Sequence, residues 1–140
     1  KGDKAKDSLR NVTEIKEFVI NVVSSTLGEA MNISSGNFSY GINEFVESGL
    51  EMADCETISV PRVKAAPASL ECKLWQSIKL PKTANGEPST MIIGTVTGIH
   101  IADNVIVNGK VDVAAYQPLA RLGYMDYAKI TELFSMQRPS

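Results

Sequence analysis

The chain has 140 residues, 44% of them hydrophobic and 21% charged, with a formal net charge of −2. Length and composition suit one domain over residues 1–140 with its own core, far from the disordered regime. Lysines and arginines are scattered among acids rather than gathered in a basic stripe, and no apolar run nears the ~20 residues that span a bilayer, so a cytoplasmic protein without nucleic-acid or membrane partners is expected.

The chain opens on a charged stretch, K-G-D-K-A-K, that reads as a loop. Asp7 or Ser8 is placed to N-cap a short helix in which Leu9, Val12 and Ile15 recur at three-residue spacing. From Glu17 to Val23 the period changes to two, with Phe18, Ile20 and Val22 on one face, which predicts a strand. Thr26 and Glu29 have the spacing of a capping box, followed by Leu27, Ala30 and Met31 on one helical face and Gly36 as a stop. A second short helix fits Asn43 to Ser48, ended by Gly49 with Leu50 folding back onto it.

Between Ser69 and Leu80 the apolar residues Leu70, Cys72, Leu74, Ile78 and Leu80 fall on even positions, and Glu71, Lys73, Ser77 and Lys79 on odd ones. That pattern predicts a long strand with its even face buried. A turn-rich insert with the step Asn85-Gly86 suits a hairpin. Met91 to Ala102 is apolar on both faces and carries Gly94 and Gly98, which reads as a central barrel strand with close backbone approaches. Asn108-Gly109 suggests an edge hairpin, and Leu133 to Arg138 a last short strand. Long strands beside short helices give an α+β chain with a barrel as the expected sheet.

Candidate chemistry is sparse. Cys55, Cys72 and the lone His100 lack the number and pairing of a structural zinc site, so no metal is expected; the two cysteines suit either free thiols or a disulfide. Lys6-Asp7-Ser8 at a helix entry offers free N–H groups, an ammonium and a hydroxyl to an anion, or is an ordinary cap beside a solvated lysine. His100 inside an apolar strand is either a ligand contact or a satisfied structural residue. Arg121, Tyr124 and Tyr127 supply a cation and aromatic rings for a planar ligand, or pack as a surface turn. There is no Gly-x-Gly-x-x-Gly, P-loop or nucleophile elbow.

Several segments in order carry more. K-D-S-L-R-N-V from Lys6 and E-F-V-I-N-V-V from Glu17 resemble the K-D-T-L-R-N-I…E-F-V-V-N-L block of flavin reductase-like proteins. E-A-M-N at Glu29, N-E-F…S-G-L ending at Leu50, P-R-V at Pro61, S-L-E-C-K-L at Ser69, I-I-G-T-V at Ile92, R-L-G-Y at Arg121 and L-F-S-M-Q-R-P at Leu133 follow in the family's order. The resemblance covers the C-terminal two-thirds of the family pattern; its opening P-R-P-I…S-T and N-x-A-P-F-S segments do not occur in this sequence.

The resemblance implies an FMN-binding split barrel with short flanking helices, incomplete at the N-terminus, and a homodimer with FMN near the subunit interface. It implies electron passage between NAD(P)H, FMN and a small-molecule or protein acceptor, or an FMN-binding relay without reductase activity. It also implies that Lys6 and Ser8 hold the FMN phosphate and that Arg121 and Tyr127 lie near the flavin. His100 matches one of the family's two usual histidine places and Gly98 occupies the other.

Overall fold

The structure, a computed structural model, describes residues 6–82, 86 and 89–139. Helix α1 (Asp7–Ile15) buries Val12 and ends at Lys16, whose φ of 66° turns the chain into strand β1 (Glu17–Asn21). The expected cap does not form. Lys6 itself takes the N-cap position, no side chain caps the helix, and Asp7 pairs with Arg10 at 3.2 Å. One place inside the helix, the carboxylate is still favoured by the positive end of the helix dipole and gains an i,i+3 partner. β1 stops two residues before Val23, although Val22 N–H still donates to Ala68 O at 2.9 Å.

The Thr26–Glu29 capping box is also absent. A 3-10 turn occupies Ser25–Leu27, helix α2 (Gly28–Ser34) follows directly from it, and Thr26 Oγ1 pairs with Ser24 Oγ at 2.8 Å instead. Helix α3 (Glu44–Glu47) agrees with its sequence. Asn43 Oδ1 accepts from Phe45 N–H at 3.0 Å, Gly49 takes φ +66°, and Leu50 N–H donates back to Phe45 O at 2.9 Å. That closure needs a left-handed residue after the helix, which glycine supplies without a Cβ clash.

Strands β2 (Met52–Ala53) and β3 (Arg62–Val63) form a small ribbon, and the chain between them has no regular structure of its own. Carboxylates from the main sheet hold this connection. The Ser59 N–H and hydroxyl both donate to Glu17 at 2.7 Å, and the Glu56 and Thr57 amides donate to Glu71.

Strand β4 (Ala68–Leu80) pairs antiparallel with β5 (Ser89–Ile101) along its length, while β1 lies on its other side, giving the order β1-β4-β5. Of the predicted Asn-Gly turn joining β4 to β5, Asn85 lies outside the described residues. Among the described residues β4 is the central strand and β5 an edge, whereas the sequence suggested a central place for β5. Apolar residues on both faces report cover above and below a strand, not neighbours beside it.

The even-face expectation for β4 needs the same kind of correction. Leu70, Leu74 and Ile78 are half-buried, Cys72 is buried and Leu80 is exposed, while the odd residues Ser69 and Glu71 are sealed, at 1% and 0% exposure. The start of β4 is covered on both faces, because the connection from β2 to β3 is held onto the second one. Two register shifts, at Trp75 on β4 and Thr97 on β5, offset each other, so Glu71 again stands opposite Gly98.

After β5, strands β6 (Ile106–Val107) and β7 (Lys110–Val111) form the expected hairpin, with Asn108 and Gly109 at φ 50° and 72° as its two-residue turn requires. Helix α4 (Val113–Tyr116) has no counterpart in the sequence reading. Its N-cap Asp112 accepts from the Ala114 and Ala115 amides at 3.0 and 3.2 Å. Strands β8 (Leu119–Arg121) and β9 (Tyr127–Lys129) pair with each other, and β8 is tied to the end of β1 by Leu119 N–H donating to Val23 O at 3.0 Å. The predicted strand at Leu133–Arg138 is not formed. No described strand pairs with that segment, and Phe134 and Met136 stand 84% and 83% exposed. Short helices around antiparallel strands make the chain α+β, as expected.

Candidate functional site

The five predicted site residues fall into three places. Lys6 and Ser8 are exposed at the start of α1, where the Lys6 carbonyl accepts from the Leu9 and Arg10 amides at 3.0 and 3.1 Å. The amides of Asp7 and Ser8 precede the first intrahelical bond, and no side chain caps them, so this end keeps the donors that an anion would need. Arg121 and Tyr127 come together across the β8–β9 pair. The guanidinium donates to Tyr127 Oη at 2.9 Å and lies 5.4 Å from the ring centroid, while its second nitrogen donates to Tyr124 O at 3.2 Å. His100 is paired with Glu71, and no hydrogen bond or ion pair joins it to the other four.

The Glu71–His100 pair is what sequence reading missed. Antiparallel pairing sets Glu71 opposite Gly98 and Ser69 opposite His100, so Glu71 and His100 are diagonal neighbours on adjacent strands. Gly98 makes the space: a Cβ there would lie 3.0 Å from the Glu71 carboxyl carbon and 3.1 Å from its Oε2. Into that space the carboxylate receives four donors. Oε1 accepts from the Glu56 amide at 2.9 Å and from His100 Nε2, and Oε2 accepts from the Thr57 amide and hydroxyl, each at 2.6 Å. Thr97, the residue at the β5 register shift, adds its hydroxyl 2.5 Å from Thr57 Oγ1.

Burial by itself pushes the Glu71 pKa up, but the bonds from Thr57, Glu56 and His100 more than reverse it and hold the carboxyl at about 2. An ionised carboxylate only accepts, so His100 Nε2 carries the proton in this pair and Nδ1 is the ring's remaining polar atom. Cys55 stands beside them. Its Sγ, a Glu71 carboxylate oxygen and a His100 ring nitrogen all lie within 4.8 Å of one another. Burial first, and then the Glu71 charge, push the Cys55 thiol pKa up, against the downward pull of the Arg62 guanidinium. Both cysteines are free thiols, with Cys72 buried in β4.

These three groups lie 16 and 29 residues apart on a loop and two strands, so no local spacing advertises them. The sequence offers only Gly98 with the sole histidine two positions further on; that Glu71 faces that glycine follows from the register.

Two cavities lie elsewhere. One of about 450 Å³ is lined by Ser24, Ser25, Thr26, Asn104 and Gln117 among others, and an apolar one of about 210 Å³ lies between β1, α2 and Val63. None of the five predicted residues lines either.

The sequence matches the family described as flavin reductase like domain over residues 2–120. Protein BH2278 of Halalkalibacterium halodurans is 34% identical over 135 residues, covering 96% of this chain and 65% of its own length. The chain spans 54% to 65% of this and two further curated relatives. Among solved structures, nitrilotriacetate monooxygenase component B from Bacillus cereus superimposes with a TM-score of 0.88 at 31% identity, over 97% of this chain and 67% of that one. A Shewanella frigidimarina protein with a split barrel domain gives 0.79 at 20% identity, over 94% and 65%, which extends the likeness in fold alone.

Proposed function

The chain belongs to the flavin reductase-like family, with its split-barrel fold, and from that we propose that it works as a flavin oxidoreductase that binds FMN and passes electrons from NADH or NADPH to an acceptor. The family match over residues 2–120 carries this reading; it takes in Lys6, Ser8 and His100 and ends just before Arg121 and Tyr127. The acceptor is a small molecule or a protein, and the likeness to component B of a monooxygenase supports a protein. The reading includes a cytoplasmic location; among the described residues no helix is long and apolar enough to cross a membrane.

The entry of α1 suits the FMN phosphate. Lys6 supplies an ammonium, Ser8 a hydroxyl, and the uncapped amides of the first turn point the positive end of the helix dipole at the same place. Asp7 works against an anion there, and its ion pair with Arg10 reduces that effect. Arg121 and Tyr127, already fixed to each other, offer a cation and a ring edge to the flavin, and His100 offers Nδ1 while Glu71 holds Nε2. When bound, the flavin supplies the electron and hydride exchange; these residues bind and orient it.

Lys6→Ala tests the phosphate assignment. In a protein of the relatives' full length, it is expected to weaken FMN binding by about 1.5–3 kcal/mol, the range for hydrogen bonds to charged groups. Riboflavin, which has the same ring and no phosphate, should bind as before. Equal weakening of both ligands by calorimetry would remove Lys6 from the phosphate site.

A homodimer completes the proposal, and sedimentation at micromolar concentration should report about twice the chain mass. Oxidation of NADH or NADPH in the presence of free FMN separates the reductase reading from a flavin-binding relay, which would consume neither.

A further inference from the structure

We propose that Cys55, Glu71 and His100 form a three-ligand site for a zinc-type divalent transition cation, with its fourth position open to water or an added ligand. The argument starts from the donor set. A thiol, a carboxylate and an imidazole, the three side-chain types that bind Zn2+, converge within 4.8 Å from a loop and two strands. Tetrahedral coordination at roughly 2.0–2.3 Å per ligand sets neighbouring ligand atoms about 3.3–3.7 Å apart. Separations of up to 4.8 Å therefore have to close by at most about 1.5 Å, and the Glu71–His100 contact has to open by about 1 Å. Cys55 precedes the Glu56 and Thr57 amides that hold Glu71, so its side chain, not the anchored loop, has to close that gap.

The surroundings are those of a ligand site. Glu71 Oε2 is held by the Thr57 amide and hydroxyl and Oε1 by the Glu56 amide, which fixes the carboxylate while leaving the bond to His100 as the exchangeable one. Metal-bound carboxylates are oriented by such outer hydrogen bonds. The His100 side chain keeps 21% exposure and Cys55 is half-buried, so an ion has a way in.

Binding balances simply. The Cys55 thiol proton leaves to solvent, the imidazole proton moves from Nε2 to Nδ1, and the cation takes the place between thiolate, carboxylate and Nε2. Thiolate and carboxylate together neutralise a divalent ion. Thiolate and imidazole donors suit a zinc-type ion, whereas Mg2+ and Ca2+ take oxygen ligands and should bind poorly.

Titration of the purified, reduced chain with Co2+ tests this directly. One equivalent should produce a thiolate-to-cobalt charge-transfer band in the near ultraviolet and intense tetrahedral bands in the visible, and one equivalent of Zn2+ should abolish both. The chain holds one histidine and two cysteines, so the assignment is unambiguous. Cys55→Ser should remove the charge-transfer band, and His100→Gln should weaken Co2+ binding at least about tenfold. Cys72→Ala, which alters the other thiol, should keep the bands. Proton NMR of the lone imidazole gives a second measure, and its ring signals should shift on adding Zn2+ and not Mg2+. Bands that persist in Cys55→Ser and vanish in Cys72→Ala would overturn the proposal, as would the absence of any charge-transfer band at millimolar Co2+ in the unsubstituted, folded chain.

Discussion

Gly94→Ala is expected to destabilise the chain by roughly 1–3 kcal/mol, the range for overpacking, at a half-buried site already occupied by a ring. A Cβ at Gly94 would lie 2.5 Å from Phe18 Cζ, 2.7 Å from Cε1 and 3.1 Å from the Lys73 carbonyl oxygen. Two of those atoms belong to a ring on β1 and the third to the backbone of β4, so little nearby is free to give. The backbone at Gly94 does not have positive φ, which leaves the clash as the obstacle. Alanine would otherwise stabilise a strand position by about 0.4–1 kcal/mol through the unfolded state, and a contact this short outweighs that gain.

The measurement is a urea midpoint at unchanged m-value. Because Phe18 is the obstacle, Gly94→Ala in a Phe18→Leu background should cost at least about 0.5 kcal/mol less than in the unsubstituted protein. Equal costs in both backgrounds would mean the ring is not what alanine meets.

Glu71→Gln is the second large effect, and its cause is hydrogen-bond arithmetic. Each carboxylate oxygen accepts from one backbone amide, Glu56 at Oε1 and Thr57 at Oε2. Whichever way the new side-chain amide is turned, its NH2 faces one of those N–H groups, donor against donor. The Thr57 hydroxyl and the His100 ring can adjust their protons, but a peptide N–H cannot. One part-buried amide loses its partner, and Tm should fall by roughly 5 °C with a chelator present. Amide exchange at Glu56 and Thr57 should accelerate far more than exchange in β4.

The pH dependence has a definite sign. The folded pKa of Glu71 is about 2, below the ordinary carboxylate value of 4.5. Its contribution is therefore complete above about pH 4.5 and is lost as pH falls from there through about 2. The Tm gap between the unsubstituted protein and Glu71→Gln should be constant above about pH 5 and narrow in acid. A gap that widens below pH 4 would contradict the assignment of Glu71 as the ionised acceptor.

Local features of the fold were readable from the chain because their causes are local. Asn43 and Gly49 bracket α3 within a few residues, and Asn108-Gly109 forces its turn by the φ values its two residues tolerate. The period-two run of β4 likewise gave the strand, and the order of nine short segments gave the family. The α1 and α2 caps misread the sequence because several hydroxyl and carboxyl residues compete within one turn, and dipole, ion pair and cap differ by only about 1 kcal/mol.

Tertiary structure decided the rest. Which face of β4 is buried at Glu71 depends on a loop 14 and 15 residues earlier that lies down on it. That choice turns a residue with a surface-like pattern into the most deeply sealed side chain of the described chain. The tail shows the opposite outcome, because apolar residues at Leu133, Phe134 and Met136 form no strand where no partner edge meets them. A strand's periodicity is written in its own residues, but its cover and its partners belong to segments far along the chain. The meeting of Cys55, Glu71 and His100 followed from register and loop placement together, and neither is encoded in the spacing of those three residues.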